Sequence, residues 1–499
     1  MFCLILIFQC YARLILQELE SLKTQPEEST LPRQHCTNHN AQTKYGYLHV
    51  PNGAISFIYY QGRGQHNIVY INGGPGLSSQ ISNFLEIGPH FGQWNNFSNL
   101  LFLDLPAGTG YGRTNTTRNL SYEDVAIDYE IAMQNFNKLC KLTYDNVILF
   151  STDFGARFAL AIANRSKTIK CVGLLDPFLD TLNIVTEIPN FAFHMGVIDY
   201  QELIYFEKAI IKLSDDIYNG NYQHENAKFL KQLYYMTGNV SLYNVLEQKL
   251  YSEDEDKLEQ ILNDPESLYY IPFETEFLAR SQNVFDQFKY NFFEPFDNKI
   301  IQHLLSKKNI LVYQSQYDML IPPSGTMKWL ISIQYELDDF FYQNQLIKLM
   351  KDDQLIGLQK RGGYLEYLFV LNTGQVMHRD NCNNSMILIQ QYLEMAEEQD
   401  HELENKYKYD PHKQPAKGAF KKQNEDKKMV KFPTRVRQED DEKNKGEEES
   451  PVGNPLIEEN VIAPDAKSHK SQHTQKSHQT NKRGLFSKQV SQFVKCEDD

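Results

Sequence analysis

These 499 residues carry no apolar run long enough for a membrane span, no metal-site cysteine spacing and no excess of positive charge. The one His/Lys/Ser tract that could bind metal or anionic partners, KSHKSQHTQKSHQTNKRG, reads as a solvated tail. The N-terminal apolar segment MFCLILIFQCYA, residues 1–12, falls well short of the roughly 20 residues a bilayer-crossing helix requires. The seven cysteines include no C-x-x-C pair and no spacing typical of a metal site, so neither a zinc module nor a dithiol redox motif is expected. Lys and Arg number 50 against 64 Asp and Glu, a formal net charge of -14, which argues against nucleic acid or an anionic membrane as the main partner. No internal repeat is present.

What is present suits one large folded domain with appendages. A composition of 41% hydrophobic and 12% aromatic residues suffices for a sizeable core. Residues 1–12 end in small residues and are followed by polar sequence, so they read as a secretory signal peptide without a basic n-region. Asn-x-Ser/Thr sequons begin at Asn96, Asn115, Asn119, Asn164, Asn239 and Asn383, compatible with a glycosylated lumenal protein. Removing the signal would leave Cys36, Cys140, Cys171, Cys382 and Cys496, an odd number, so one thiol stays free or pairs between chains.

Residues 13–44 are polar and read as a leader or loop. From Tyr45 the runs YGYLHV, AISFIYY and NIVYI, each bounded by turn residues, read as strands. LLFLDLP, VILFS and CVGLL are continuous apolar runs, as expected of strands buried on both faces of a parallel sheet. Helical patterns alternate with them, which is α/β architecture. Residues 200–300 are charged, Tyr-rich and helical in period, a helical insertion lying over the sheet. The sheet resumes in NILVYQSQYD and LEYLFVLNTG, giving a core in two parts, 45–199 and 301–399. Residues 400–499 carry mixed charge and few apolar side chains, a composition that cannot offset its own ordering entropy, and are expected to be a disordered tail.

Two stretches carry the chemistry. Ser151-Thr152-Asp153-Phe154-Gly155, between an apolar strand and an Ala/Leu-rich helix, fits a small-x-nucleophile-x-small elbow, although an Asp capping a helix N-terminus has the same look. VYINGGPGLSSQISNFLEIGP, residues 69–89, runs a strand into glycines whose N–H groups are unobstructed, as an oxyanion hole requires. The second stretch closely resembles the NGGPG-x-SS signature of serine carboxypeptidases. In order, NLLFLDLPAGTGYG resembles their FLDxPxGxGF, FAFHMGVID their FAYxxGLI, ILVYQSQYD the strand bearing their catalytic Asp, and NTGQVMHRD their GAGHMVPxD. The resemblance covers about residues 45–395 and implies an α/β-hydrolase fold, with a central mostly parallel sheet, helices on both faces and a helical cap.

Carried over position by position, the resemblance implies an altered site. Asp318 matches the triad Asp, but Asp153 stands where the nucleophilic Ser is expected and Gln375 where the general-base His is expected. An amide does not titrate in the useful range and cannot shuttle a proton. The oxyanion donors would be the N–H groups of Gly74 and Phe154. Asn72, with adjoining Gly73, and Glu86 occupy places that in the family hold the substrate carboxylate, whereas the preceding Glu is Thr152 and the strand Trp is Tyr70. The Cys after GPG is Leu77, so a family disulfide anchored there is absent. No cofactor and no metal are implied.

Asp153, beside backbone donors built for an oxyanion, should accept those hydrogen bonds itself and stay ionised. The leading reading is therefore a secreted or endolysosomal serine carboxypeptidase-like protein without peptidase chemistry. Its partner would be a peptide or protein C-terminus, with homodimerisation left open. One competing reading is a hydrolase using Asp153 to form an ester intermediate, with His378 as a displaced base. Another is an active carboxypeptidase by family membership alone, which the site residues oppose.

Overall fold

In β4 (His66–Ile71) successive side chains face opposite ways, so Ile68 and Tyr70 enter one hydrophobic core while Val69 and Ile71 enter another. That alternation, repeated along the sheet, places an apolar layer on each face. The computed structural model describes residues 31–64, 66–221, 228–248, 252–333 and 345–406. The signal-peptide reading of residues 1–12, and most of the tail expected at 400–499, lie outside the described residues.

The remaining strands are β1 (His35–Asn38), β2 (Thr43–Val50), β3 (Gly53–Tyr60), β5 (Ser98–Leu103), β6 (Arg113–Thr114), β7 (Val147–Asp153), β8 (Ile169–Pro177), β9 (Asn309–Ser315), β10 (Ile347–Lys351), β11 (Gln354–Gly362) and β12 (Leu365–Val370). They form one sheet in the order β1-β2-β3-β5-β4-β7-β8-β9-β12-β11-β10, with β6 against β3. The six central strands, β5 to β12 in that order, run parallel, and both flanks are antiparallel. This is the mixed sheet of an α/β-hydrolase fold, and its parallel centre matches the continuous apolar runs of the sequence.

Helices cover both faces. On one side α2 (Tyr122–Cys140), α3 (Gly155–Arg165), α9 (Asn298–Leu304) and α10 (Pro323–Ser332) bury Phe136, Phe158, Ile301 and Leu330. On the other, α1 (Ser79–Ser82) with its continuing π-helical turn Asn83–Ile87, α7 (Ser252–Asn263) and α12 (Cys382–Lys406) bury Ile81, Leu258 and Leu388. A third core lies among α4 (Thr181–His194), α5 (Tyr200–Tyr218) and the loops beyond them, around Ile188, Phe206 and Ile210. The other helices are α6 (Lys228–Met236), α8 (Gln282–Phe288) and the short α11 (Met377–Asp380). Described residues up to Leu403 belong to one compact unit; of a second, Glu404–Gln489, only the helical residues up to 406 are described.

Three boundaries differ from the sequence reading. The polar leader 13–44 contains β1 and the start of β2, because His35–Asn38 pairs antiparallel with Lys44–Tyr47. Backbone pairing, not apolar pattern, makes that strand. The helical insertion is joined by α4, which starts at Thr181 and shares the third core. Finally, α12 continues to Lys406, past the start expected for the tail.

Cys36 in β1 is disulfide-bonded to Cys140 at the end of α2, with Cα atoms 5.4 Å apart and a sequence separation of 104. Cys171 is buried on β8, with its sulfur 4.0 Å from Asn309 Nδ2. Closing a loop of about 100 residues removes entropy from the unfolded chain worth up to ~4.7 kcal/mol, and a compact unfolded ensemble reduces that figure. The Cys36→Ser, Cys140→Ser double variant is therefore expected to lose about 3 kcal/mol of stability in denaturant titrations without loss of secondary structure.

Candidate functional site

The C-terminal ends of β4, β7, β8, β9 and β12 open toward one edge of the parallel sheet, where α/β folds bind ligands. At the tip of β7, Asp153 has φ 52°, a left-handed conformation rarely adopted by a side-chain-bearing residue. The turn is possible because its neighbours are small. A Cβ at Gly155 would lie 2.4 Å from Ser151 Oγ and 2.6 Å from Asn72 O. A Cβ at Gly73 would meet Thr152 O at 2.6 Å and Asp153 Cβ at 2.9 Å. These glycines let the loop after β4 and the elbow after β7 touch backbone to backbone.

That loop is pinned from beneath by Asp104. Ser78 Oγ and Ser79 N donate to its Oδ1 at 2.6 and 2.9 Å, and Ser56 Oγ donates to Oδ2 at 2.6 Å. From above, Ser78 N donates to Ala279 O and Ser281 N to Gly76 O. The result aims the N–H of Gly74 at the elbow, where it and the Phe154 N–H both donate to the Asp153 carboxyl. The carboxyl thus sits between the two expected oxyanion donors.

It does not stay simply ionised, which corrects the sequence expectation. Although part of the residue faces the pocket, the carboxyl itself is enclosed, and desolvation pushes it up to about 7. The two N–H donors and the charge of Arg157 act in the opposite direction without overcoming burial. Asp153 is therefore neutral in acid and about half ionised near neutrality.

Asn72, Glu86, Thr152, Asp153 and Gln375 line one small pocket together with Leu77, Tyr243, Glu255 and Val376. Its volume of about 40 Å³ has room for roughly three waters. The Asn72 amide is engaged within its own loop, with Nδ2 donating to Ser78 O at 3.0 Å and Oδ1 accepting from Gly73 N at 2.8 Å. Tyr70, expected at the substrate site, is buried beneath it and does not line the pocket. The Ser82 hydroxyl lies within reach of both the Tyr70 hydroxyl, 3.3 Å, and Glu86 Oε1, 3.2 Å.

Asp318 lies just beyond β9, wholly buried, with Oδ1 accepting from Ile321 N at 2.9 Å and Oδ2 meeting no hydrogen-bond partner among the described residues. The Gln375 side-chain nitrogen is likewise buried without a partner, while its backbone N–H donates to Tyr243 O at 2.7 Å. His378 offers no substitute base. Its ring lies edge-on to Trp94 at 4.8 Å and stacked on Tyr313 at 6.4 Å, and among the described residues neither ring nitrogen has a partner. Burial pushes it down to about 3, and it does not line the pocket.

Sequence reasoning missed several neighbours. Tyr243 and Glu255 reach the pocket from the helical region, with Glu255 Oε2 3.3 Å from Arg280 Nε. Asp176, near the end of β8, accepts from Ser315 N and Oγ, both at 2.9 Å. Arg157, one turn beyond the elbow, is wholly buried. The available signals were a charge within the apolar run GLLDPF and an Arg inside the Ala-rich helix.

Residues 32–395 match the family described as serine carboxypeptidase. A retinoid-inducible serine carboxypeptidase of Mus musculus is 25% identical over 63% of this chain and 81% of its own length. Serine carboxypeptidase 3 of Hordeum vulgare is 22% identical over 70% of this chain and 77% of its own. The crystal structure of a prohormone-processing carboxypeptidase from Saccharomyces cerevisiae superposes with a TM-score of 0.59 at 17% identity, over 71% of this chain and 92% of that one, which shows the shared fold.

Proposed function

Because this chain belongs to the serine carboxypeptidase family, we propose that it is a non-catalytic member in which the peptidase site is filled by its own side chain. The observation that carries the reading is the Asp153 carboxyl accepting from both Gly74 and Phe154 N–H groups, the donors that would otherwise stabilise a tetrahedral oxyanion. Gln375 in the base position supports it, since nothing there can take up and return a proton. The unpartnered Oδ2 of Asp318 supports it too, as an imidazole partner is missing from the place where one would be held.

The chain then acts as a binding or structural relative of the peptidases, in a secreted or endolysosomal lumen. The apolar N-terminal segment and the sequons support that location, and the sequon residues Asn96, Asn115, Asn119, Asn164 and Asn383 are exposed. Among the described residues no helix is long and apolar enough to cross a membrane. A peptide C-terminus remains the natural ligand class, held if at all by Glu86 and Thr152, because Asn72 is engaged in its own loop. The reading with Asp153 as nucleophile is disfavoured by His378, which is shut away from the pocket.

The test is hydrolysis of a blocked dipeptide bearing a free C-terminal carboxylate, at acidic and neutral pH. Purified natural protein should release no amino acid above a heat-treated blank. Turnover that co-purifies with the folded chain and survives peptidase-free expression would overturn the proposal.

A further inference from the structure

Three adjacent parallel strands each present a carboxyl at or just beyond their C-terminal ends: Asp153 on β7, at the pocket wall, and the fully buried Asp176 on β8 and Asp318 after β9. They do not converge as metal ligands would, since among the described residues no three acidic, His or Cys side chains are grouped to hold an ion. An independent observation concerns Asp318 alone. Its Oδ2 is fully enclosed and meets no donor among the described residues, a position in which an ionised oxygen would be left bare.

We propose that Asp153, Asp176 and Asp318 form one proton-binding unit across the strand ends, whose protonation holds the core together in acid and whose ionisation loosens it at neutral pH. This does not depend on whether the elbow is catalytically silent.

The surroundings favour proton uptake. Asp153 faces the Gly74 and Phe154 N–H groups and the Arg157 charge, with Glu86 and Glu255 across the pocket. Asp176 faces Ser315 together with the charges of Asp153 and Asp380. Asp318 faces the N–H groups of Ile321 and Leu320 and the charges of Asp176 and Asp153. Asp380 is held by Asn244, the Gly374 N–H and Arg379, so the Arg379 charge is spent on it and on Glu247 and Asp254. His378 nearby is held neutral. Burial first, and then repulsion from Asp153 and Asp380 at Asp176 and from Asp176 and Asp153 at Asp318, raises both of these carboxyls well above the usual range.

The sign follows from linkage. Each group binds its proton more tightly folded than unfolded, so its stabilisation is complete below about pH 4 and is lost as pH rises through its folded value. For Asp153 that loss runs from about pH 4 and is complete once the pH has passed about 7.

Denaturant titrations of the full chain from about pH 5 to about pH 8 test this. The folded-to-unfolded ratio should fall about tenfold per pH unit for each proton released. Asp104 and Asp128, pushed up by burial to about 6, add a slope that variants at the three strand ends leave in place. Asp153→Asn, Asp176→Asn and Asp318→Asn should each flatten the profile, and the Asp176→Asn, Asp318→Asn pair should do so less than additively. Profiles parallel to that of the natural chain would overturn the proposal. Should the inner variants fail to fold, infrared spectra decide: the natural protein near pH 6 should show a protonated-carboxyl band that shrinks in Asp153→Asn and, in the natural chain, weakens as pH rises through about 7. A spectrum without that band, or a band unchanged in Asp153→Asn, overturns it.

Discussion

The Asp153→Ser, Gln375→His double variant is expected to hydrolyse a blocked dipeptide at least ~10⁴-fold faster than the natural chain, because a complete triad acts as a unit. Serine at the elbow removes the carboxyl from between the Gly74 and Phe154 N–H groups and leaves both donors aimed at an incoming carbonyl oxygen. Histidine at position 375 offers its second ring nitrogen to the buried, partnerless Oδ2 of Asp318. Each single variant should stay near the blank, since serine without a base keeps its proton and a base without serine faces an occupied oxyanion site. Progress curves at acidic and neutral pH for the four proteins check this. A double variant that is folded yet inert would mean that the pocket of about 40 Å³ is itself closed to peptide.

Arg157→Ala should be the most damaging single substitution outside the strands, lowering stability by about 5 kcal/mol. The guanidinium is buried at the start of α3 and reaches three other parts of the chain. Nε donates to Phe178 O at 2.9 Å, Nη1 to Asn291 O and Glu294 O at 2.8 and 2.6 Å, and Nη2 to Thr181 Oγ1 at 3.0 Å. It also lies over the Phe154 and Phe178 rings, 5.0 and 5.6 Å from their centroids. Truncation strands several buried carbonyl oxygens at once, each loss of a charged donor being worth about 1.5–3 kcal/mol. Lysine should restore little, because one ammonium group cannot span these acceptors. Loss of the Arg157 charge also pushes the Asp153 carboxyl further up, so a pH titration of the variant should show it protonated to higher pH. A stability loss under about 1 kcal/mol in denaturant titrations would show that these contacts are replaced by water.

The strands of the parallel centre were legible because sheets buried on both faces write continuous apolar runs, as in VILFS and NILVYQS. The two-glycine loop and the elbow were legible because only small residues permit the contacts seen at Gly73 and Gly155. The residue identities at 153, 318 and 375 likewise stood in the chain, and the pocket does unite Asp153 and Gln375 with Asn72, Glu86 and Thr152. The strand at His35–Asn38 was not legible, since a polar segment pairs through its backbone and leaves no side-chain pattern.

Neither was the protonation of Asp153. Sequence order places N–H donors next to it, and from that alone an ionised carboxylate follows. How deeply the carboxyl is enclosed is a property of packing by residues distant in the chain, and enclosure outweighs the donors. The placement of Asp153, Asp176 and Asp318 at neighbouring strand ends has the same origin, because parallel pairing of β7, β8 and β9 aligns strand ends separated by many residues. Local residue type and spacing determined the elements and the chemistry available at each turn. Tertiary structure decided the charge state, because desolvation and repulsion depend on distances that only the folded chain sets.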